Sequence, residues 1–286
     1  MGFESVRTST KVEPASQSPL YTAMATLSCE PELVAVMSLS GLMPLAARNL
    51  LESITLLAAA TDYLGAVYAV VRGAPLPAGA ARTVFNAVLV AFHAGLGEVA
   101  PTIALPRGAI ATRTSAAMAL AAGYTAAGPA HVGACKLVMA YFTEIITATT
   151  NSASGDPSEL VAQTRASLDA RLAAGGRVSG FGHPLFRQDP RNPHLRDLVK
   201  AQGLESPYLT VYDAVAARMR ELRAIHPNID AIAAALFLTL GIAPAYGTAL
   251  FLCARMAAMV AHIEEARKEP PFGARRADRG AALAER

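Results

Sequence analysis

The chain of 286 residues has no tryptophan, few other aromatic residues and three cysteines, Cys29, Cys135 and Cys253. An odd number of widely spaced cysteines argues against both a disulfide framework and a zinc site. We therefore expect a protein of a reducing compartment, the cytoplasm, with no bound metal. Residues 1–17 also lack the apolar stretch of a signal peptide, and we expect residues 1–20 to form a disordered or loosely docked tail.

Charge is scarce as well, since charged residues make up 16% of the chain and the net charge is +3. The basic residues are scattered and are not interleaved with aromatic side chains, which argues against binding to nucleic acid. A small excess of positive charge suits an anionic small substrate equally well.

Apolar residues make up 53% of the chain, which raises the alternative of an integral membrane protein. The uncharged run at residues 231–254 is long enough to cross a bilayer. Glycine and proline interrupt this run at residues 241–247, as a loop between two shorter helices would. Much of the apolar content is alanine, which favours helix. We therefore expect a protein that has no membrane-spanning segment.

The fold class follows from apolar residues that recur at helical spacing from Glu30 onward, with no alternation typical of a β-strand. A loop rich in glycine, proline and charge occupies residues 177–193. The sequence thus predicts an all-α fold. Glycine and proline separate the predicted helices, which cover parts of residues 33–51 and residues 54–71, 81–94, 114–127, 131–149, 158–174, 195–202 and 211–225, and a last apolar pair flanks residues 241–247.

A histidine suited to carbon chemistry lies in the motif Gly-Pro-Ala-His-Val-Gly at residues 128–133. This motif places His131 at the start of a helix, where the helix dipole disfavours the imidazolium form. A neutral ring there can donate a hydrogen bond to a developing enolate. The alternative is a histidine that only packs at the end of its helix.

The motif Gly-Phe-Gly-His at residues 180–183 is more specific. Two glycines around Phe181 permit the backbone to approach a flat ligand closely, and His183 follows at once. Arg191 comes eight residues later behind a proline, and its guanidinium group suits a carboxylate bidentately. The alternative is a solvated loop held by turn residues.

Asp230 precedes an uncharged apolar run, and Arg255 is the one formal charge between Asp230 and Glu264. Asp230 is either a helix N-cap, the commoner meaning, or a carboxylate whose pKa is raised so that it can take a proton from carbon. Arg255 is either a surface residue with a buried stem or a buried cation that needs an anion, for which a substrate carboxylate would serve.

The motifs taken together, over about residue 82 to the end, resemble citrate synthase. The ordered set consists of the motifs at residues 128–133 and 180–183, Asp-Pro-Arg at 189–191, Pro-Asn-Ile-Asp at 227–230, and Leu-Phe-Leu-Cys-Ala-Arg at 250–255 followed by Ala-His at 261–262.

The resemblance implies a role for each motif. His131 would hydrogen-bond the thioester carbonyl of an acyl-CoA and stabilise its enol, and Asp230 would remove the α-proton. His183 would polarise the ketone of the acceptor oxo acid, and Arg191 and Arg255 would clamp its carboxylates. Coenzyme A would enter as part of the substrate, and no tightly bound cofactor is expected.

The same resemblance implies an architecture. The backbone of Gly180, Phe181 and Gly182 would lie against the adenine of CoA. A large helical domain, residues 21–137 and 246–286, would carry a smaller helical domain, residues 138–245, that closes over the site. Two chains would form a homodimer.

Four positions depart from the family's pattern. Val132 stands where glycine is usual, and Pro184 stands where arginine is common. Arg275, which corresponds to the arginine that the family takes from the partner subunit, lies in Gly-Ala-Arg-Arg at residues 273–276 where the family has Arg-Pro-Arg. His93, which corresponds to the family's additional substrate histidine, has different surroundings. The chain length and the short segment from His183 to Arg191 are closer to citryl-CoA lyase than to full-length citrate synthases.

We therefore predict a citryl-CoA lyase-like enzyme, which cleaves or forms the carbon–carbon bond between acetyl-CoA and oxaloacetate. The main alternative is a short citrate or 2-methylcitrate synthase, which condenses the substrates and then hydrolyses the thioester. The two activities share the aldol residues and differ in whether water reaches the bound thioester. An integral membrane protein and a catalytically silent paralogue are the remaining alternatives.

Overall fold

A computed structural model describes residues 60, 62–93, 99–150 and 157–274. Within these ranges the chain forms ten α-helices and a short 3-10 turn, Pro244–Tyr246, and β-structure is limited to isolated bridges. The predicted all-α class is confirmed. The helices are α1 Tyr63–Arg72, α2 Ala80–His93, α3 Pro101–Ala111, α4 Ala116–Tyr124, α5 Ala134–Thr150, α6 Pro157–Ala173, α7 Arg191–Ala201, α8 Pro207–Arg223, α9 Ile229–Thr239 and α10 Gly247–Arg267.

Helix α9 runs through the core. Residues 231–237 of this helix have no exposed surface. A helix that is apolar on every side is stable only where other elements cover every face, and here α2, α5, α7 and α8 pack around it. Aromatic rings from α2 and α10 extend this core, and the ring centroids of Phe92 and Phe251 lie 4.2 Å apart. The first turn of α9, which carries Asp230, therefore begins inside the protein.

The uncharged run at residues 231–254 is not one helix. Helix α9 ends at Thr239, and the 3-10 turn precedes α10, as the glycine and proline residues predicted. Within the described ranges, one segment, Pro244–Arg267, is long and apolar enough to cross a membrane by length and composition. Of its most apolar window, 61% is buried against the rest of the protein, as in a core helix of a globular protein.

One helix was not predicted from the sequence, and two others near the motifs begin at residues that differ from those predicted. Helix α3, which contains Pro106 and Gly108, was not predicted. Helix α5 begins at Ala134, three residues after His131. Helix α7 begins at Arg191 and not at residue 195, since the side chain of Asp189 accepts a hydrogen bond from the backbone N–H of Arg191 and starts the helix there.

The expected division into a large and a small domain stays a prediction. The expected tail at residues 1–20 and the substrate arginine Arg275 lie outside the described residues.

Candidate active site

Arg255 is the centre of a chain of polar contacts that reaches His131. The Arg255 residue is only 3% exposed, although it carries a formal charge. Its Nε donates a hydrogen bond to the carbonyl oxygen of Phe92 at 2.8 Å, and its Nη1 donates to Oγ1 of Thr102 at 3.2 Å. Burial, with a contribution from the positive charge of Arg191, lowers the pKa of Arg255 to about 10, and Asp230 acts in the opposite direction. The buried interpretation of Arg255 is therefore confirmed.

Thr102 connects Arg255 to His131 and has no exposed surface. Its Oγ1 lies 3.2 Å from Nε2 of His131 and accepts from Arg255. Because Arg255 can only donate, the hydroxyl proton of Thr102 can be donated to Nε2, and this arrangement favours the tautomer of His131 with its proton on Nδ1. Thr102 could not be identified from the sequence, since a single threonine near the start of an apolar segment carries no motif.

The ring of His131 is held neutral by its surroundings. Burial lowers its pKa, and the positive charge of Arg255 lowers it further. The expectation that His131 lies at the N-terminus of the following helix is wrong, because α5 begins only at Ala134. A neutral imidazole with a proton on Nδ1 is a hydrogen-bond donor suited to an enolate oxygen.

A tight turn fixes the backbone around His131. The carbonyl oxygen of Gly128 accepts from the N–H groups of His131 at 2.9 Å and Gly133 at 3.1 Å, and the N–H of Gly128 donates to the carbonyl oxygen of His131 at 2.8 Å. A Cβ on Gly133 would lie 2.7 Å from that Gly128 oxygen, so the turn requires glycine there. Val132 has a φ of +72°, which is rare for a β-branched residue. The neighbouring hydrogen bonds hold this conformation in place.

Asp230 is the second residue of α9, and its Oδ1 is enclosed without a hydrogen-bond partner in the described part of the chain. Burial raises the pKa of Asp230 to about 7. The charges of Arg191 and Arg255 and the backbone N–H of Cys135 act against this rise, and the charge of Asp189 adds to it. A carboxyl group that titrates near neutral pH is a stronger base toward carbon than an ordinary aspartate.

The alternative interpretation of Asp230 as the N-cap of its helix is wrong. The cap is Asn228, whose Oδ1 accepts from the backbone N–H of Asp230 at 2.9 Å. Asn228 also joins α9 to the glycine-rich loop, because its Nδ2 donates to the carbonyl oxygen of Gly182 and its N–H donates to that of Gly180. The carboxylate of Asp230 is thus left out of the capping contacts.

His183, which follows the glycine-rich loop at residues 180–182, has one ring nitrogen that can donate a hydrogen bond. Its Nδ1 accepts from the backbone N–H groups of Leu185 at 3.2 Å and Phe186 at 3.1 Å. A nitrogen that accepts two hydrogen bonds carries no proton, so the neutral ring has its proton on Nε2. Partial burial lowers the pKa of His183, with Asp189 raising it and Arg191 lowering it, and this favours the neutral ring.

The two glycines beside Phe181 have different roles. Gly180 has a φ of +80°, and a Cβ there would lie 2.8 Å from Cγ2 of Val138 and 3.1 Å from the backbone nitrogen of Ala231. Position 180 therefore requires glycine, because a larger residue would clash with α5 and α9. Gly182, with a φ of +85°, has its nearest such neighbour at 3.8 Å and leaves the loop surface open. The expected contact of this loop with CoA stays a prediction.

Arg191 lies at the start of α7 in a bidentate ion pair with Asp189. Its Nε and Nη2 donate to Oδ1 and Oδ2 of Asp189 at 2.9 and 2.8 Å. Burial alone would raise the pKa of Asp189, but the hydrogen bonds and charge of Arg191 and the N–H of Ile229 outweigh it and lower the pKa. The charge of Arg191 also reaches Asp230, Arg255 and His183, which places it within the same site.

His93 is less directly connected to this group of residues. It is the last residue of α2, and its Nδ1 lies 2.8 Å from the carbonyl oxygen of Leu89. It lines a cavity of about 730 Å³ between α1, α2 and α10, with Arg82, Asn86 and Met256 among the other lining residues. The remaining predicted substrate residue, Arg275, is outside the described residues.

The sequence of this chain is similar to those of known proteins. The family model for the citrate synthase C-terminal domain matches residues 31–273. The 2-methylcitrate synthase of Mycobacterium tuberculosis is 31% identical over 142 residues, which are 48% of this chain and 33% of that protein. Citrate synthase 2 of Bacillus subtilis is 29% identical over 142 residues, 48% of this chain and 35% of that protein. The chain spans about a third of the length of these curated relatives.

Solved structures show the same fold. Citryl-CoA lyase from Hydrogenobacter thermophilus superposes with a TM-score of 0.66 at 22% identity, over 77% of this chain and 82% of that chain. A citrate synthase from Thermoplasma acidophilum, in a ternary complex with carboxymethyl coenzyme A and oxaloacetate, gives a TM-score of 0.60 at 17% identity, over 91% and 76% of the two chains.

The described part of the chain has the citrate synthase fold. Since the family model covers most of the sequence, the chain belongs to the citrate synthase family. The predicted superfamily is confirmed, and so is the prediction of an enzyme of this family.

Proposed function

We propose that the protein is a citryl-CoA lyase-like enzyme that cleaves or forms the carbon–carbon bond between an acyl-CoA, acetyl-CoA in the simplest case, and an oxo acid such as oxaloacetate. The observation that carries this proposal is Asp230. Its carboxyl group is enclosed, titrates near neutral pH and shares a site with a neutral histidine, His131, and two arginines. A base for a carbon-bound proton, a donor for the resulting enolate and a clamp for carboxylates are the groups that aldol chemistry requires.

In the condensing direction Asp230 takes a proton from the α-carbon of the acyl group. Nδ1 of His131 donates a hydrogen bond to the thioester oxygen, where negative charge develops. The α-carbon then bonds to the oxo carbon of the acceptor as the π bond of that carbonyl breaks, and the resulting alkoxide, which lies against Nε2–H of His183, takes up a proton from solvent. Asp230 releases its proton to solvent, so no net proton is gained or lost. Cleavage reverses these steps, and Asp230 returns a proton to the α-carbon as the acyl-CoA leaves.

The similarity to citryl-CoA lyase from Hydrogenobacter thermophilus supports the lyase assignment, because this chain covers 82% of that chain. The alternative is a short citrate or 2-methylcitrate synthase, which the names of the curated relatives favour.

The two functions differ in the fate of the thioester. Incubation with citryl-CoA, and separately with acetyl-CoA plus oxaloacetate, followed by mass spectrometry and assay of free thiol, separates them. Acetyl-CoA and oxaloacetate as the products from citryl-CoA support a lyase, whereas free CoA and citrate support a synthase.

We expect the two arginines to act on the carboxylates of the substrate. Arg191→Leu and Arg255→Leu should each raise KM for the oxo acid, or for the citrate-like end of the thioester, about tenfold to a hundredfold, because a charge-assisted hydrogen bond contributes roughly 1.5–3 kcal/mol. Steady-state kinetics at varied oxo acid check this. Arg196→Leu is the matched control, since Arg196 lies on the same helix as Arg191 and pairs with Asp213 at the surface. A wild-type KM in both variants would show that Arg191 and Arg255 do not bind the carboxylates of the substrate.

The pKa of Asp230 predicts how proton abstraction depends on pH. Only the carboxylate form accepts a proton, and burial raises the pKa of this group to about 7. Exchange of the acetyl-CoA methyl protons with deuterated solvent should therefore rise with pH, with a midpoint at about 7, and level off about one pH unit higher. NMR of the methyl group at low acetyl-CoA concentration, with an oxo-acid analogue bound if exchange requires it, measures this dependence. A midpoint near 4, the value of an ordinary aspartate, would contradict the assignment of Asp230 as an enclosed base.

A further inference from the structure

The carboxylate of Asp189 connects two parts of the site that have separate tasks. It is 1% exposed, and it accepts four hydrogen bonds. Oδ1 accepts from the backbone N–H and Nε of Arg191 at 3.1 and 2.9 Å. Oδ2 accepts from Nη2 of Arg191 at 2.8 Å and from the backbone N–H of Ile229 at 2.9 Å. Ile229 immediately precedes Asp230, so one carboxylate holds both the guanidinium group and the start of α9.

We propose that Asp189 is a positioning residue that couples the carboxylate clamp to the carbon base, because its two oxygens hold Arg191 on one side and the first turn of α9 beneath Asp230 on the other. This inference rests on the proposed function, in which Arg191 binds substrate and Asp230 removes the proton. Asp189 itself is buried and its four hydrogen bonds come from protein N–H groups, so it acts through Arg191 and α9.

The hydrogen-bond geometry requires an anion at this position. All four contacts to Asp189 come from N–H donors, and a carboxylate can accept all of them. An asparagine has the same shape, but its Nδ2 group is a donor and would face one set of these donors. The guanidinium of Arg191 would lose its bidentate partner, and its direction toward a bound carboxylate would no longer be fixed.

The charge of Asp189 also acts on the base through space. It raises the pKa of Asp230, whereas Arg191 and Arg255 lower it. Removal of the Asp189 charge would take away a negative charge that raises the pKa of Asp230. It would also leave the positive charge of Arg191 uncompensated, and both effects would lower the pKa of Asp230. The same two groups also act on His183 in opposite directions, because Asp189 raises its pKa and Arg191 lowers it. A residue that merely tied α7 to α9 would alter stability but would leave this titration unchanged.

Asp189→Asn tests the proposal. We expect KM for the oxo acid to rise about tenfold, the scale of one charge-assisted hydrogen bond. We also expect the midpoint of the pH dependence of α-proton exchange to move down by about one unit, because a like charge has been removed from the surroundings of Asp230. Asp169→Asn is the matched control, since Asp169 forms a bidentate pair of the same geometry with Arg218 away from the site. The control should leave both quantities at their wild-type values.

Asp189→Glu provides a second measurement if Asp189→Asn does not fold. Glutamate keeps the negative charge but displaces the oxygens, so KM should rise while the pH midpoint stays near that of the wild type. A wild-type KM together with a wild-type midpoint in the folded variant would overturn the inference. Asp230→Asn separates this failure from that of the proposed function: if Asp230→Asn retains full activity, the base assignment itself is wrong, whatever Asp189→Asn does.

Discussion

An Asp230→Asn variant should lose at least about 100-fold in turnover, the usual scale for a general base, and should remain folded. Asparagine has the shape of aspartate but cannot take a proton from carbon. The substitution does not disturb the start of α9, because the helix cap is Asn228 and the cap bond goes to the backbone N–H of Asp230. Proton exchange of acetyl-CoA should disappear in the same variant.

The stability of this variant should depend on pH in a defined way. Burial raises the pKa of Asp230 from 3.8 to about 7, so the folded protein binds this proton more tightly than the unfolded chain does. The stability that this proton contributes is fully present below the unfolded pKa and is lost as the pH rises through the folded pKa. The Tm of Asp230→Asn relative to the wild type should therefore be higher at pH 8 than at pH 5, as measured by calorimetry.

Asp213→Asn is the control for these measurements, because Asp213 forms its ion pair with Arg196 far from the enclosed carboxyl group. It should leave turnover and its pH dependence unchanged. Retention of most of the activity by Asp230→Asn would show that the residue does not act as the base, and the aldol mechanism assigned to this chain would then be wrong.

The fold class and the motif residues could be predicted from the sequence because both depend on local patterns. Helical spacing and the glycine and proline breaks predicted most of the helices around the core. The ordered motifs resemble citrate synthase, and this resemblance implied that His131, His183, Asp230 and the two arginines share a site. These predictions required no knowledge of which helices pack against each other.

The residues that adjust the site could not be predicted in the same way. Thr102 meets His131 across 29 residues of sequence and Arg255 across 153. Asn228 and Asp189 have roles that depend on which backbone groups lie within reach of their side chains. Such contacts exist only after the helices pack, and a threonine, asparagine or aspartate in a turn has many commoner local uses.

The cause of the neutral histidine could not be predicted either. The motif suggested the dipole of a following helix, but the reciprocal hydrogen bonds of Gly128 and the positive φ of Val132 delay α5 until Ala134. The electrostatic surroundings of His131 are set instead by burial and by Arg255, which comes from α10 at the other end of the chain.

Substitution should separate the roles of the two ring nitrogens of His183, because Nδ1 accepts hydrogen bonds from the backbone and Nε2 donates toward the substrate. Asparagine places its Oδ1 near the position of Nδ1, whereas glutamine places its Nε2 near the position of the ring Nε2. His183→Asn should therefore keep the hydrogen bonds from the N–H groups of Leu185 and Phe186 but lose the donor toward the oxo oxygen. We expect a loss of about 100- to 1000-fold in turnover, the scale of one missing donor to a developing oxyanion.

His183→Gln should show the complementary behaviour. It should lose the two backbone hydrogen bonds and make the loop after His183 exchange its amide protons faster, while retaining part of the activity through its Nε2 donor. Hydrogen-exchange mass spectrometry of residues 183–190 and steady-state kinetics measure the two effects independently. His194→Asn, at an exposed position of α7, is the control. If His183→Asn kept wild-type turnover with an intact loop, Nε2–H would have no part in the reaction, and the oxo oxygen would have to be bound elsewhere.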